Sequence, residues 1–254
     1  MNQLSILQYL IYLNLGLAQE YSSEHCFAMK SGSTLPFCNR VCGTSAITDQ
    51  EISDVTAYFG ATPFRWFVDS RDTQQIEKLE HNQFTHAGGF PGMMLSLDEL
   101  PSADYGPCPA KPCAKHGDGI SIREISDIAD IKQWVAIVAQ SYGTDAVEFE
   151  KFIMYLHRSC PPGTIRFYCG YYQGTLVATT VTIAHGDIVG VHWVGTLPAY
   201  RGKGMGYAIT HKSLIDAKHD KKTCAILLAS EMGKPIYAKM GFKECVTYNV
   251  YKRG

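Results

Sequence analysis

The sequence lacks a bias of charge. Lys and Arg number 23 against 24 Asp and Glu, for a formal net charge of −1 over 254 residues. Proteins that grip nucleic acid carry a basic excess, because phosphate neutralisation supplies most of their affinity. No nucleic-acid partner is expected. A long apolar run is missing as well. Residues 1–17 are apolar-rich, but Gln3, Ser5, Gln8 and Asn14 interrupt them and the first basic residue is Lys30. A secretory signal needs a positive start and a small-residue cleavage site, and a membrane span needs roughly 18 uninterrupted apolar residues. Leu4, Leu7, Ile11 and Leu15 instead recur at helical spacing, so a buried amphipathic helix is expected there and no membrane partner.

Cysteine is too sparse for a small secreted disulfide scaffold: there are nine, an odd count. Free thiols and a reducing, cytoplasmic setting are expected. Cys108 and Cys113 form one close pair, but no second pair stands at metal-binding spacing, so no metal is expected. What the sequence does have is 46% hydrophobic and 19% charged residues, the composition of a soluble globular protein with a core.

Residues 101–119 hold four prolines and three glycines with no apolar periodicity, and read as a linker. They divide the chain into a domain over 1–100, the linker, and a domain over 120–254. The first part reads as a smaller mixed α/β domain. It has a strand over 36–42, a helix over 47–59 opened by Thr48 and Glu51 as a capping box, and a strand over 63–68. A helix over 72–84 and a glycine turn over 88–92 follow. The second part reads as strand 120–125, helices 129–140 and 145–158, and hairpin strands 164–172 and 175–184 joined at Gln173-Gly174. After these come strand 188–197, helix 204–218, strand 224–229, helix 231–240 and strand 242–251. The third, apolar strand, its helix and the next strand form a βαβ crossover, so those two strands are predicted parallel. The fold class is α/β (α+β): a mixed central sheet flanked by helices.

Between the 188–197 strand and the next helix lies Leu197-Pro-Ala-Tyr-Arg-Gly-Lys-Gly-Met-Gly206. Glycines at 202, 204 and 206 allow backbone to approach a ligand closely. The loop enters a helix N-terminus, which favours an anion, and Arg201 and Lys203 add positive charge. A dinucleotide fingerprint fails because Tyr207 stands where its third glycine belongs. A P-loop fails because Gly204 follows Lys203 in place of Ser or Thr. Arg-x-x-Gly-x-Gly remains, at Arg201, Gly204 and Gly206.

That pattern, after a buried strand, resembles the acetyl-CoA-binding motif of the GNAT N-acetyltransferases. The segment from Leu228 to Phe242 resembles the family's next strand–helix block, which commonly ends Tyr-x-x-x-Gly-Phe, here Tyr237 to Phe242. Pro36-Phe-Cys-Asn-Arg-Val, Phe64-Arg-Trp-Phe-Val and Gly89-Phe-Pro-Gly-Met are similar to the N-terminal region of tandem GNAT proteins, where the first domain is a degenerate copy without the glycine motif.

The resemblance implies transfer of an acetyl group from acetyl-CoA to a primary amine of a small molecule or peptide by direct attack, in a monomer or homodimer. Amides of Val194, Gly195 and Thr196 would meet the pantetheine and the acetyl carbonyl. Those of Arg201, Gly202, Lys203, Gly204, Met205 and Gly206 would hold the pyrophosphate. Tyr237 matches the family's proton donor to the CoA thiolate, with core packing as its other reading. For the base, His192 shares strand parity with Val194 and Thr196, and imidazole titrates near neutrality. Glu231, or water with no dedicated base, are the alternatives. Ser230 matches a small polar position beside the cofactor and equally reads as a helix cap. Two other functions stay open: an inactive CoA-binding or structural module, and a transferase using another acyl-CoA.

Overall fold

The computed structural model describes residues 20–101 and 119–253. The expected helix over 1–17 and nearly all of the 101–119 linker lie outside the described residues. In chain order the elements are β1 Glu20–Ser22, β2 Cys26–Met29, β3 Arg40–Gly43, α1 Asp49–Phe59, β4 Arg65–Asp69, α2 Thr73–His81 and β5 Phe84–Ser96. There follow β6 Ile120–Ile125, α3 Ile128–Tyr142, α4 Ala146–Ser159, β7 Ile165–Tyr172, β8 Thr175–His185 and β9 Ile188–Thr196. The chain ends with α5 Met205–His219, β10 Cys224–Leu228, α6 Lys234–Lys239 and β11 Lys243–Arg253. Among the described residues no helix is long and apolar enough to cross a membrane.

The chain packs as two compact units that do not follow chain order. Of the described residues, one takes in 20–92 together with Val147–Cys160 and 244–253; the other takes in 93–101, 119–146 and Pro161–Lys243. Most of α4 and β11, read from sequence within 120–254, thus belong with the first unit.

In the first unit β1, β2 and β3 are antiparallel neighbours, β3 and β4 are parallel, and β4 pairs antiparallel with β11. Its core gathers Ile52, Val55 and Phe59 from one face of α1 with Phe64, Trp66, Phe84 and Tyr251. The Phe59 and Phe64 rings stack 4.2 Å apart. The predicted capping box forms: the Glu51 amide donates to Thr48 Oγ1 at 3.2 Å and the Thr48 amide to Glu51 Oε2 at 2.9 Å. Two expectations are corrected. Residues Pro36–Cys38 form a 3-10 turn, and the strand begins only at Arg40. Proline has no N–H to give a ladder, and buried Asn39 spends its amide on the Ser33 and Pro63 carbonyls at 2.9 Å each. Residues 88–92 make no turn either; β5 runs through them. Their glycines serve close approach, since a Cβ on Gly92 would lie 2.8 Å from Val246 Cγ1 and one on Gly89 3.2 Å from the Tyr248 carbonyl.

In the second unit the strand order is β10-β9-β8-β7-β6. β9 and β10 are parallel, as the crossover predicts, and the others antiparallel. Gln173 and Gly174, at φ +50° and +80°, make the predicted hairpin turn. One face is covered by α3, whose buried Trp134 donates its indole N–H to the Tyr168 and Thr180 carbonyls at 3.1 and 3.2 Å. The other is covered by α5, whose Met205 and Ile209 pack on Tyr168, Val177 and Ala178.

Glu51 ties α1 to the strands before it. Burial works against its charge, but hydrogen bonds from Ser23, Thr48 and His25 outweigh that and hold its carboxyl down at about 2, from an ordinary 4.5. A lowered folded-state value means that the stability Glu51 contributes is complete above pH 4.5 and is lost as the pH falls towards about 2. Urea unfolding midpoints across that range are expected to fall steeply for the natural chain and more shallowly for Glu51→Gln.

Candidate functional site

The site begins where β9 departs from regularity. Its ladder with β10 runs from the Ile188–Cys224 pair to the Gly190–Ile226 pair and stops. Beyond it β9 continues to Thr196 on its β8 side alone, so its other edge is open to accept a chain. On the β8 side, Val181 faces His192 and Thr179 faces Gly195. Three steps on β9 therefore match two on β8, which is a bulge. Trp193 absorbs it at φ +52°, a left-handed conformation that costs a bulky residue on the order of 1–3 kcal/mol. Two threonines hold the distortion: Thr179 Oγ1 donates to the Trp193 carbonyl and Thr180 Oγ1 to that of His192, both at 3.2 Å.

The bulge overturns the parity expected for His192. A Cβ on Gly195 would stand 3.1 Å from Ser141 Cβ on α3, whereas Thr196 Oγ1 lies 4.0 Å from the Cβ position of Gly206 on α5. His192 shares the register of Gly195 and so lies on the α3 face. Val194 and Thr196 lie on the α5 face. Sequence alternation carries no mark of the inserted residue.

After a 3-10 turn over Pro198–Tyr200, the chain reaches α5 through Gly202 at φ +76° and Gly204 at φ +83°. Gly204 is the N-cap of α5 and brings no side chain to it, so the first-turn N–H groups face outward without intrahelical acceptors. Above Gly206 a Cβ would meet nothing nearer than Ile236 Cδ1, at 3.6 Å. Met205 is buried in the core, so what it offers a ligand is its amide. Arg201 takes a structural position: Nε donates to the Thr196 carbonyl at 3.1 Å and Nη2 to that of Ser141 at 2.9 Å. The Lys203 ammonium lies over the Tyr172 and Tyr200 rings, 4.3 and 5.2 Å from their centroids.

Tyr237 rises from α6 into the same unit. Its ring packs edge-on against Phe242 at 5.9 Å and is 8% exposed. Its hydroxyl makes no hydrogen bond among the described residues. Burial, and after it the nearby Tyr142, push its phenol well above the usual range. Ser230 Oγ accepts from the Gly233 amide at 3.1 Å, closing the turn into α6. That helix starts at Lys234, later than the expected 231, because Gly233 and Pro235 set its first turn. Glu231 is exposed.

Tyr142 was not singled out from the sequence. Its hydroxyl donates to the Val194 carbonyl at 2.9 Å and its ring meets Trp193 edge-on at 5.9 Å. Desolvation around its hydroxyl pushes the phenol up to about 12, with Arg201 opposing, although half of the residue's surface as a whole is open. No periodicity or motif links position 142 to 194; only its place just before the helix-ending Gly143 marks it.

A family model described as an acetyltransferase (GNAT) domain matches residues 121–245. This part of the chain is a GNAT acetyltransferase domain. The chain is accordingly an acyltransferase. The fold is shared by a GCN5-related N-acetyltransferase from Kribbella flavida, 16% identical, over 98% of this chain and 94% of that one, with a TM-score of 0.74. One from Sphaerobacter thermophilus is 15% identical over 90% and 76% of the two chains, TM-score 0.65. A tandem GNAT protein from the clavulanic acid biosynthesis pathway is 10% identical over 91% and 80%, TM-score 0.58. No curated protein matches the chain. The GNAT domain includes both β9 with its bulge and the glycine loop, and the Kribbella likeness extends over the N-terminal part as well.

Gly233 lets the Tyr237 ring lie across the turn: a Cβ there would come within 2.8 Å of Tyr237 Cε2. Gly233→Ala is expected to displace that ring and destabilise the chain by about 1–3 kcal/mol, read as a fall in urea midpoint. An unchanged midpoint would mean the ring moves aside freely.

Proposed function

We propose that the domain transfers an acetyl group from acetyl-CoA to a primary amine of a small molecule or peptide, by direct attack of the amine on the thioester. The observation that carries this is the parting of β9 from β10 beyond Gly190 and Ile226, in the same unit as the uncapped start of α5. An open strand edge suits an extended, amide-bearing chain such as pantetheine, which can add to it as a strand does. A helix N-terminus reached through glycines suits a pyrophosphate. The residues present fit that donor, since the start of α5 carries no side-chain cap and the space where a Cβ on Gly202 would stand is open.

In this reading the amides from Arg201 to Gly206 hold the pyrophosphate, and those of Val194, Gly195 and Thr196 meet the pantetheine and polarise the acetyl carbonyl, the electrostatic contribution that is often the largest in acyl transfer. Ser230 borders the cofactor. Tyr237 gives its proton to the departing thiolate. Its phenol is protonated at neutral pH, and the desolvation that raises it also raises a thiolate leaving into the same cleft. His192 takes the amine proton. A base acts on the acceptor and not on CoA, so the α3 face, opposite the side chains of Val194 and Thr196, is compatible with that task. The likeness to the tandem protein supports reading the N-terminal part as a degenerate GNAT-like domain.

Calorimetry is expected to detect acetyl-CoA and CoA binding to the full chain at millimolar ligand or below; no heat from either would refute the reading. In an amine panel followed by CoA release, Tyr237→Phe is expected to keep donor affinity and lose on the order of a hundredfold in kcat. His192→Gln is expected to lower kcat/KM on the order of a hundredfold with donor affinity kept. An unchanged kcat in the first, or an unchanged kcat/KM in the second, would remove that residue from its role.

A further inference from the structure

Tyr142 is the large aromatic that borders the bulge and that acyl transfer, as described, leaves unused. It is the last residue of α3, ahead of Gly143 at φ +66°. Half of its surface, 50%, is open, so burial of the ring does not account for its position. Ordering a long side chain on a terminal turn costs rotamer entropy. The contacts that order it fall on the irregular residues of β9: the hydroxyl on the Val194 carbonyl and the ring on Trp193.

Arg201 closes the circuit from the other side. Its guanidinium joins the carbonyl of Ser141, the neighbour of Tyr142, to that of Thr196. The Val194 and Thr196 carbonyls are thus both tied to the end of α3, one directly and one through Arg201. Gly195 lies between them, pressed against Ser141 where no side chain fits. A left-handed tryptophan persists only where its surroundings over-determine it, and here the surroundings are this ring of bonds together with Thr179 and Thr180.

We propose that Tyr142 is a positioning residue for acyl transfer: its hydroxyl on the Val194 carbonyl and its ring on Trp193 fix the bulge, so that the amides of Val194 to Thr196 keep the orientation that receives the thioester carbonyl. This rests on the acetyl-CoA reading of the same site.

The test is isotope-edited infrared difference spectroscopy of carbonyl-labelled acetyl-CoA bound to the full chain, with affinities for acetyl-CoA and CoA from calorimetry. The natural chain is expected to shift the carbonyl band to lower wavenumber than in free acetyl-CoA. Tyr142→Phe, which keeps the ring, is expected to return most of that shift and to weaken the preference for acetyl-CoA over CoA by about fivefold, one neutral hydrogen bond's worth. Its CoA affinity is expected to stay unchanged. A full band shift in Tyr142→Phe would overturn the proposal. Trp193→Gly relieves the left-handed strain, so in that background Tyr142→Phe is expected to move the band less; an equal effect in both backgrounds would show that Tyr142 does not act through the bulge. Absence of CoA binding by the natural chain would instead overturn the acetyl-CoA reading, and this inference with it.

Discussion

One residue too many in a strand organises the candidate site. The bulge at Trp193 ends the regular register of β9 with β8, and three residues earlier the ladder with β10 stops. A regular strand in the middle of a sheet has no backbone groups to spare, because both edges are used. Only by parting from one neighbour and slipping against the other does β9 free amides at one place. The threonines of β8, the tyrosine ending α3 and the arginine of the glycine loop all bond to carbonyls of that short stretch. The strain is local and is spread over several modest hydrogen bonds.

Charge plays a smaller part than the motif suggests. Arg201 and Lys203 look like phosphate ligands in the sequence. In the structure the Arg201 guanidinium is committed to two carbonyls and the Lys203 ammonium rests on two tyrosine rings. The anion-favouring feature of the loop is therefore its backbone: two glycines at positive φ and a helix start without a side-chain cap. That agrees with a chain whose net charge is close to zero.

Much of the framework was legible because it is written in local chemistry. The capping box of Thr48 and Glu51, the Gln173-Gly174 hairpin and the parallel crossover through α5 each follow from a few neighbouring residues, and each formed. The glycines at 88–92 misled because two physical causes share one signature. Glycine permits a turn, and it also permits close passage of another strand; Gly89 and Gly92 do the second against β11, more than 150 residues later in the chain. His192 misled for a related reason, since alternation counts residues and cannot detect one that fails to pair.

The sequence by itself determined the family, the glycine loop and the place of Tyr237, because these depend on contiguous residue types at fixed spacing. The tertiary structure alone decided which face His192 takes, that α4 and β11 belong largely to the first compact unit, and that Tyr142 meets the strand bearing Trp193. Such matters turn on pairings between segments tens of residues apart, settled by register and packing. A single inserted residue, invisible in composition and periodicity, reverses every side chain that follows it on the strand.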